Sequence, residues 1–166
     1  MKLIYSFLLS ISILFFSTGT DLAAKDSNSL FPKKLIDNKG KSVSSKILEN
    51  KIVGIYFSAQ WCPPCRGFTP SLVDFRNKNS EDFEVVFVSS DRSSEDQLKY
   101  MEKYNMNFYA IPHGSDAANN LKKKFEVRGI PSLVIVDAKG NTITKNGRGD
   151  VSANPEGALA SWQKGS

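Results

Sequence analysis

The feature that most constrains this chain is a short apolar run, Ile52 to Phe57, that leads almost at once into Trp61-Cys62-Pro63-Pro64-Cys65. The run is rich in β-branched and aromatic residues, the composition of a buried strand. Beyond the cysteines, Phe68, Leu72 and Phe75 recur at i, i+4 and i+7, one face of a helix. Pro70 lies inside that helix and predicts a kink. Two cysteines separated by two residues at a strand-to-helix junction carry a definite chemistry. Cys62 falls at the helix N-terminus, where the dipole and free N–H groups favour thiolate over thiol. A thiolate attacks a disulfide and forms a mixed disulfide with it. Cys65 lies one turn along, close enough to attack that intermediate and release the product. Cys62 is therefore the expected nucleophile and Cys65 the resolving thiol. The redox-active pair is itself the reacting group, and no separate cofactor is expected.

The neighbours of the pair tune it. Pro63 and Pro64 lack an N–H, so two donors that could hold the thiolate are missing. Their fixed φ suits a first helical turn and keeps the motif rigid. This predicts a Cys62 pKa lowered only moderately and a couple that leans toward reduction. Trp61 is expected to cover the pair and present an apolar docking edge. Arg66 either raises the local positive potential or faces solvent.

The rest of the chain continues the alternation. Leu30 to Val43 reads as a small hairpin around the Asn38-Lys39-Gly40 turn signal. Phe83 to Val88 is a second buried strand. A helix opens at Ser94 with Glu95 and Asp96 in its first turn and Leu98 and Met101 facing inward. Asn107 to Ile111 is a short extended piece, and Asp116 is expected to cap a helix that ends near Phe125. Leu133 to Val136 is a third buried strand, turned back through Ala138 to Asn141 into Thr142 to Thr144. A last helix starts near Pro155 and carries Leu159 and Trp162. Strands alternating with helices, closed by a hairpin and a helix, argue an α/β sheet with helices on both faces and a single domain over residues 30–166.

The first 24 residues read differently. Lys2, the apolar run Leu3 to Phe16 and the small residues up to Ala23 and Ala24 have the order of a secretory signal peptide. Cleavage after Ala24 or after Gly19 is compatible with that order, and an uncleaved membrane anchor is the alternative. The apolar run falls short of the ~20 residues a spanning helix usually needs, so no stable membrane insertion is expected after cleavage. Residues 25–29 form a polar lead-in. The protein is therefore expected to be exported, to a periplasmic or extracellular compartment. Lys2 and Asp21 offset each other, so the net charge of +5 survives removal of the signal. The lysines are spread out, apart from Lys122, Lys123 and Lys124, which read as a solvated helix face. No basic stripe is interleaved with aromatics, and nucleic-acid binding is not expected.

The bland reading of Cys62 and Cys65 is a purely structural disulfide. A two-residue spacing closes so small a loop that it restricts the unfolded chain little. A zinc site would need four ligands, and His113 is the only histidine; no metal is expected. His113 itself reads as a solvated loop residue, with a nucleophile–His pair as the alternative. Arg148-Gly149-Asp150 follows a turn-rich stretch and reads as loop.

The stretch Phe57-Ser58-Ala59-Gln60-Trp61-Cys62-Pro63-Pro64-Cys65-Arg66-Gly67-Phe68-Thr69-Pro70 resembles the active-site segment of tryparedoxins and nucleoredoxins, within the thioredoxin superfamily. Phe83 to Ser89 resembles the strand that follows, Gly129-Ile130-Pro131-Ser132-Leu133 the loop bearing a cis-proline, and Asn154-Pro155-Glu156-Gly157 with Trp162 the C-terminal helix. The resemblance covers roughly Leu30 to Trp162 and implies a thioredoxin fold, with a central mixed sheet, helices on both faces and a terminal hairpin plus helix. It implies that Pro131 is cis and packs against the cysteine pair, and that Ile130 offers its backbone to an extended substrate. An ordinary turn proline is the alternative for Pro131. Two departures stand out. Thioredoxins proper carry a buried acid where this chain has Tyr56, which leaves the proton acceptor for Cys65 open, with water the simplest candidate. Tryparedoxins and nucleoredoxins are mainly intracellular, so their partners do not transfer to an exported chain.

The expected activity is a thiol–disulfide oxidoreductase that reduces or exchanges disulfides in exported proteins, recharged by a membrane-relayed or small-thiol electron donor. A dithiol oxidase is the rival within the class. A peroxidase would want a further cysteine in its own pocket. A copper-carrying module using two thiolates and a histidine, or a binding module with an idle disulfide, represents the other classes.

Overall fold

A computed structural model describes residues 30–166. The signal-peptide reading of residues 1–24 and the lead-in 25–29 lie outside the described residues. Seven strands form one mixed sheet: β1 (Lys34–Ile36), β2 (Ser42–Ser44), β3 (Ile52–Ser58), β4 (Phe83–Ser89), β5 (Tyr109–Ala110), β6 (Ser132–Val136) and β7 (Thr142–Thr144), in the order β2-β1-β5-β4-β3-β6-β7. The centre of the sheet pairs β3 with β4 and β4 with β5 in parallel, while β6 runs antiparallel to β3. The hairpin expected near the N-terminus is β1–β2, and the terminal hairpin is β6–β7. This is the α/β thioredoxin fold.

β3 and β4 are buried along their whole lengths. They read as largely apolar runs because helices cover both faces of a sheet interior, so neither set of alternating side chains meets water, with Glu84 on β4 the buried charged exception. On one face Tyr56, Phe83, Val85 and Phe87 pack against α1 (Pro63–Lys78), α2 (Ser94–Lys103), α4 (Gly147–Ala153) and α5 (Ala158–Lys164) through residues such as Leu72, Tyr100, Val151 and Trp162. On the other, Ile55, Phe57, Val86 and Val134 meet Ala118, Leu121 and Phe125 of the α3 segment (Asp116–Lys124, with Phe125 as C-cap).

Several local expectations are corrected. α1 buries Phe68, Leu72 and Phe75 as the periodicity requires, and Pro70 lies inside the helix as expected. Gln97, Tyr100 and Met101 form the buried side of α2, whereas Leu98 is only half-buried and reaches the Gly40 turn. Ser115, not Asp116, caps α3: its hydroxyl accepts from the Ala118 N–H, and Asp116 is the first helical residue. The last part of the chain holds two helices where one was expected. Arg148-Gly149-Asp150 lies in α4 and is no loop, because Asp150 accepts the Trp162 indole N–H at 3.0 Å and ties α4 to α5. Lys122 is not part of a solvated face. It is half-buried and donates to the Ser89 carbonyl at 3.2 Å, while Lys123 and Lys124 are exposed.

Candidate active site

β3 delivers its last residues to the edge where the sheet meets α1. Cys62 is the N-cap of α1, in extended conformation, with Pro63 and Pro64 in the first turn. An N-cap side chain ordinarily accepts from the N–H of the second or third helical residue. Pro64 has none, which leaves the Cys65 N–H as the donor available to a Cys62 thiolate. Cys62 and Cys65 are joined as a disulfide with their Cα atoms 5.3 Å apart. Cys62 is 4% exposed and Cys65 fully buried, so of the two only the first keeps any exposure.

The sheet register brings the second part of the site. Phe57 on β3 stands opposite Ser132 on β6, so Pro131, one residue earlier, falls beside the end of β3. The Ile130–Pro131 peptide bond is cis. Ile130 packs against Ala59, Cys62 and Cys65, and its carbonyl oxygen lies 3.8 Å from Cys62 Sγ. In the reduced protein the Cys62 thiol can donate to that carbonyl; in the disulfide the sulfur carries no proton.

Trp61 is the most exposed large apolar side chain of the described residues, at 55%, and its indole N–H donates to the Ser90 carbonyl at 3.0 Å. The loop after β4 holds this region from below. Asp91, nearly buried, accepts the Gln60 N–H at 2.7 Å and the Ser89 hydroxyl at 2.8 Å. His113 Nε2 bonds the Asp91 carbonyl at 2.8 Å, so the histidine braces the loop beneath the motif and is only half exposed. Arg66 folds back and donates to the Gln60 carbonyl at 2.9 Å. Burial pushes the Lys122 pKa below its ordinary value. Among the described residues no three His, Cys, Asp or Glu side chains are grouped as a metal would need.

Beneath Cys65, where a buried acid is absent, four hydroxyls meet. Tyr56 and Ser58 come from β3, Thr69 from α1 and Tyr100 from α2. Burial raises the pKa of both phenols above the ordinary tyrosine value. All four side chains are fully buried.

A family model described as thioredoxin-like matches residues 50–142, which span β3, the cysteine motif, the cis-proline loop and β6. The chain belongs to the thioredoxin-like family. It is 40% identical over 129 residues to a tryparedoxin of Trypanosoma brucei brucei, across 75% of this chain and 88% of that one. It is 39% identical over 132 residues to a nucleoredoxin of Danio rerio, across 77% of this chain. The matched part is 31% of that nucleoredoxin, so the chain spans under a third of the length of this curated relative. A crystal structure of a thioredoxin from Wuchereria bancrofti superposes with a TM-score of 0.71 at 44% identity, covering 84% of this chain and 99% of that chain. The close cysteine pair, Cys62 and Cys65, lies within the residues that the thioredoxin-like family model matches.

Of the residues read from sequence in this thioredoxin-like protein, Cys62, Cys65, Trp61, Pro63, Pro64, Ile130 and Pro131 all meet at one end of the sheet. Asp91, Thr69 and Tyr100 were missed. Asp91 had one available signal: it follows β4 at the carboxyl ends of the parallel strands, where α/β sheets place their sites. Thr69 and Tyr100 had none, since their hydroxyls meet only across packed elements.

Proposed function

We propose that this protein reduces or exchanges disulfides of other proteins outside the cytoplasm, with Cys62 as nucleophile and Cys65 as resolving thiol. The observation that carries the reading is the asymmetry of the pair: Cys62 keeps a small exposure at the start of α1 beside the Ile130 carbonyl, and Cys65 keeps none. The Cys62 thiolate attacks one sulfur of the substrate disulfide, which forms a mixed disulfide and expels a substrate thiolate. Cys65, having lost its proton, attacks Cys62 Sγ, expels the second substrate thiolate and leaves the Cys62–Cys65 disulfide. Two protons from solvent complete the two substrate thiols. A dithiol donor, reached through a membrane relay or as a small thiol, returns the two electrons. Trp61 supplies an apolar edge for the substrate, and the Ile130 backbone offers hydrogen bonds to an extended segment of it. Export rests on Lys2 and the apolar run to Phe16.

The test is reduction of insulin with an added dithiol. Cys62→Ser abolishes turnover, and Cys65→Ser accumulates a mixed disulfide on Cys62. A trap on Cys65 reverses the two roles. Pro63 and Pro64 leave a less stabilised thiolate and so a more reducing couple, expected between about −270 and −200 mV on equilibration with glutathione. A potential near the ~−120 mV of a strong oxidase assigns the protein to disulfide formation instead.

A further inference from the structure

The four hydroxyls under Cys65 form a ring of contacts whose hydrogen-bond directions can be worked out. Ser58 donates to Tyr56 at 3.0 Å, Tyr56 meets Thr69 at 2.8 Å, Thr69 meets Tyr100 at 2.7 Å, and Tyr100 meets Ser58 at 3.1 Å. The ring has one exit by a short bond: the Thr69 hydroxyl donates to the Cys65 carbonyl at 2.8 Å. Tyr56 approaches the same carbonyl at 3.4 Å. Each hydroxyl has one proton and two lone pairs. Since the Thr69 proton goes to Cys65, both phenols donate to Thr69 Oγ1, and with the Ser58 proton given to Tyr56 the Tyr100–Ser58 contact carries no proton. Thr69 is therefore the hub: it takes the three shortest bonds of the network and passes their combined polarisation to one carbonyl.

That carbonyl belongs to the resolving cysteine, on a helix that lacks three backbone donors. Pro63, Pro64 and Pro70 have no N–H, and the last of these directly follows Thr69. The turn from Cys65 to Thr69 is thus bounded on both sides by prolines and reinforced from beneath by the ring. We infer that Thr69, driven by Tyr56 and Tyr100, is a positioning residue that holds Cys65 for attack on the Cys62 mixed disulfide, and that the ring takes no proton itself. This rests on the roles proposed above for the two cysteines. A ring whose four protons are all committed, and whose phenols are harder to ionise than ordinary tyrosines, is no base. The titratable groups acting on it among the described residues are Tyr56 on β3 and Tyr100 and Tyr104 on α2, with no carboxylate or ammonium between them. The Cys65 proton then leaves directly to solvent or to the departing thiolate.

The reduced full chain, mixed with dithiobis-nitrobenzoate in a stopped-flow instrument, releases one thionitrobenzoate when Cys62 attacks and a second when Cys65 resolves. Thr69→Val keeps the shape of the side chain and loses the hydroxyl. It is expected to slow the second release about fivefold, the equivalent of one neutral hydrogen bond, and to leave the first release unchanged. Thr69→Ser restores the second release to within about twofold of the parent, and Tyr100→Phe, which removes one driver and no hub, falls between. The pH midpoint of the second release stays the same in all three. Equal slowing of both releases by Thr69→Val, failure of Thr69→Ser to restore the rate, or unchanged resolution in both Thr69→Val and Tyr100→Phe overturns the positioning role. A shifted midpoint overturns it in favour of a proton relay. A mixed disulfide mapped to Cys65 overturns the assignment of roles and this inference together, whereas a trap on Cys62 with unaltered resolution removes the inference alone.

Discussion

At the position of Tyr56 a carboxylate would have to shed its hydration to lie beneath Cys65, and a phenol does so at lower cost because it stays neutral. The consequence is measurable in alkali. Burial raises the pKa of Tyr56 and of Tyr100, so the folded protein keeps these protons after an unfolded chain has begun to lose them near pH ~10. The folded state then binds more protons than the unfolded state, and stability falls as pH rises above that point. Urea titrations between about pH 9 and 11 should show this fall, and Tyr56→Phe should flatten it. An equal slope in the variant would place the alkaline loss elsewhere. The same scale separates Trp61 from an ordinary surface aromatic: its indole is pinned to the Ser90 carbonyl while its ring remains exposed. Trp61→Ala should raise KM for a protein disulfide and leave the rate with a small disulfide nearly unchanged, which parallel assays with insulin and oxidised glutathione decide.

Between elements, the most demanding contact is the bidentate pair of Arg76, in the last turn of α1, with Glu84 on β4, at 2.9 and 2.6 Å. Glu84 is 2% exposed and also accepts the Val85 N–H. Removal of one partner from such a pair leaves a buried charge unsatisfied, which costs about 3–5 kcal/mol, whereas replacement of both is often nearly neutral. Arg76→Met should therefore destabilise the protein by about 3 kcal/mol in chemical denaturation, and addition of Glu84→Gln should recover much of the loss. The reduction potential should not move in either variant, because the pair anchors the far end of α1 from the cysteines. Close approach of elements sets a second limit at Gly54, in the centre of β3. A Cβ there would meet Phe83 Cζ at 2.8 Å and Leu133 Cδ1 at 3.1 Å. Gly54→Ala should cost about 1–3 kcal/mol by overpacking, read as a lowered denaturant midpoint.

For the whole molecule, the central prediction joins compartment to chemistry. The proposed export would place the protein far from cytosolic electron donors, so a relay or a small thiol would have to recharge its disulfide. N-terminal sequencing of material recovered outside the cytoplasm should begin after Ala24 or Gly19. A chain that still begins at Met1 would return the apolar run to a membrane-anchor role. In that compartment the reducing bias expected from Pro63 and Pro64 predicts that Cys62 and Cys65 are kept reduced only while the donor is supplied. Alkylation trapping after donor removal reads this directly, and a pair that stays reduced without a donor would argue against the proposed bias.

Much of this protein was legible along the chain. Ile52 to Phe57 and Phe83 to Val88 announce themselves as doubly covered strands because apolar residues fall on both of their faces. The cysteine motif declares its own chemistry through spacing and the helix start. What escaped were features made by two distant segments at once. Leu98 loses its inner place to Gln97 and Tyr100 because the face of α2 is selected by the sheet beneath it, not by hydropathy. Arg148 to Asp150 becomes helical because Trp162 supplies Asp150 with a partner. Lys122 turns inward because the Ser89 carbonyl lies at the end of β4. Sequence alone determined the strand–cysteine pair–helix unit, since periodicity and proline placement act over a few residues. Only the tertiary structure decided that Tyr56, Ser58, Thr69 and Tyr100 close into a ring beneath Cys65, because hydrogen bonds between buried hydroxyls depend on distances that no local pattern encodes.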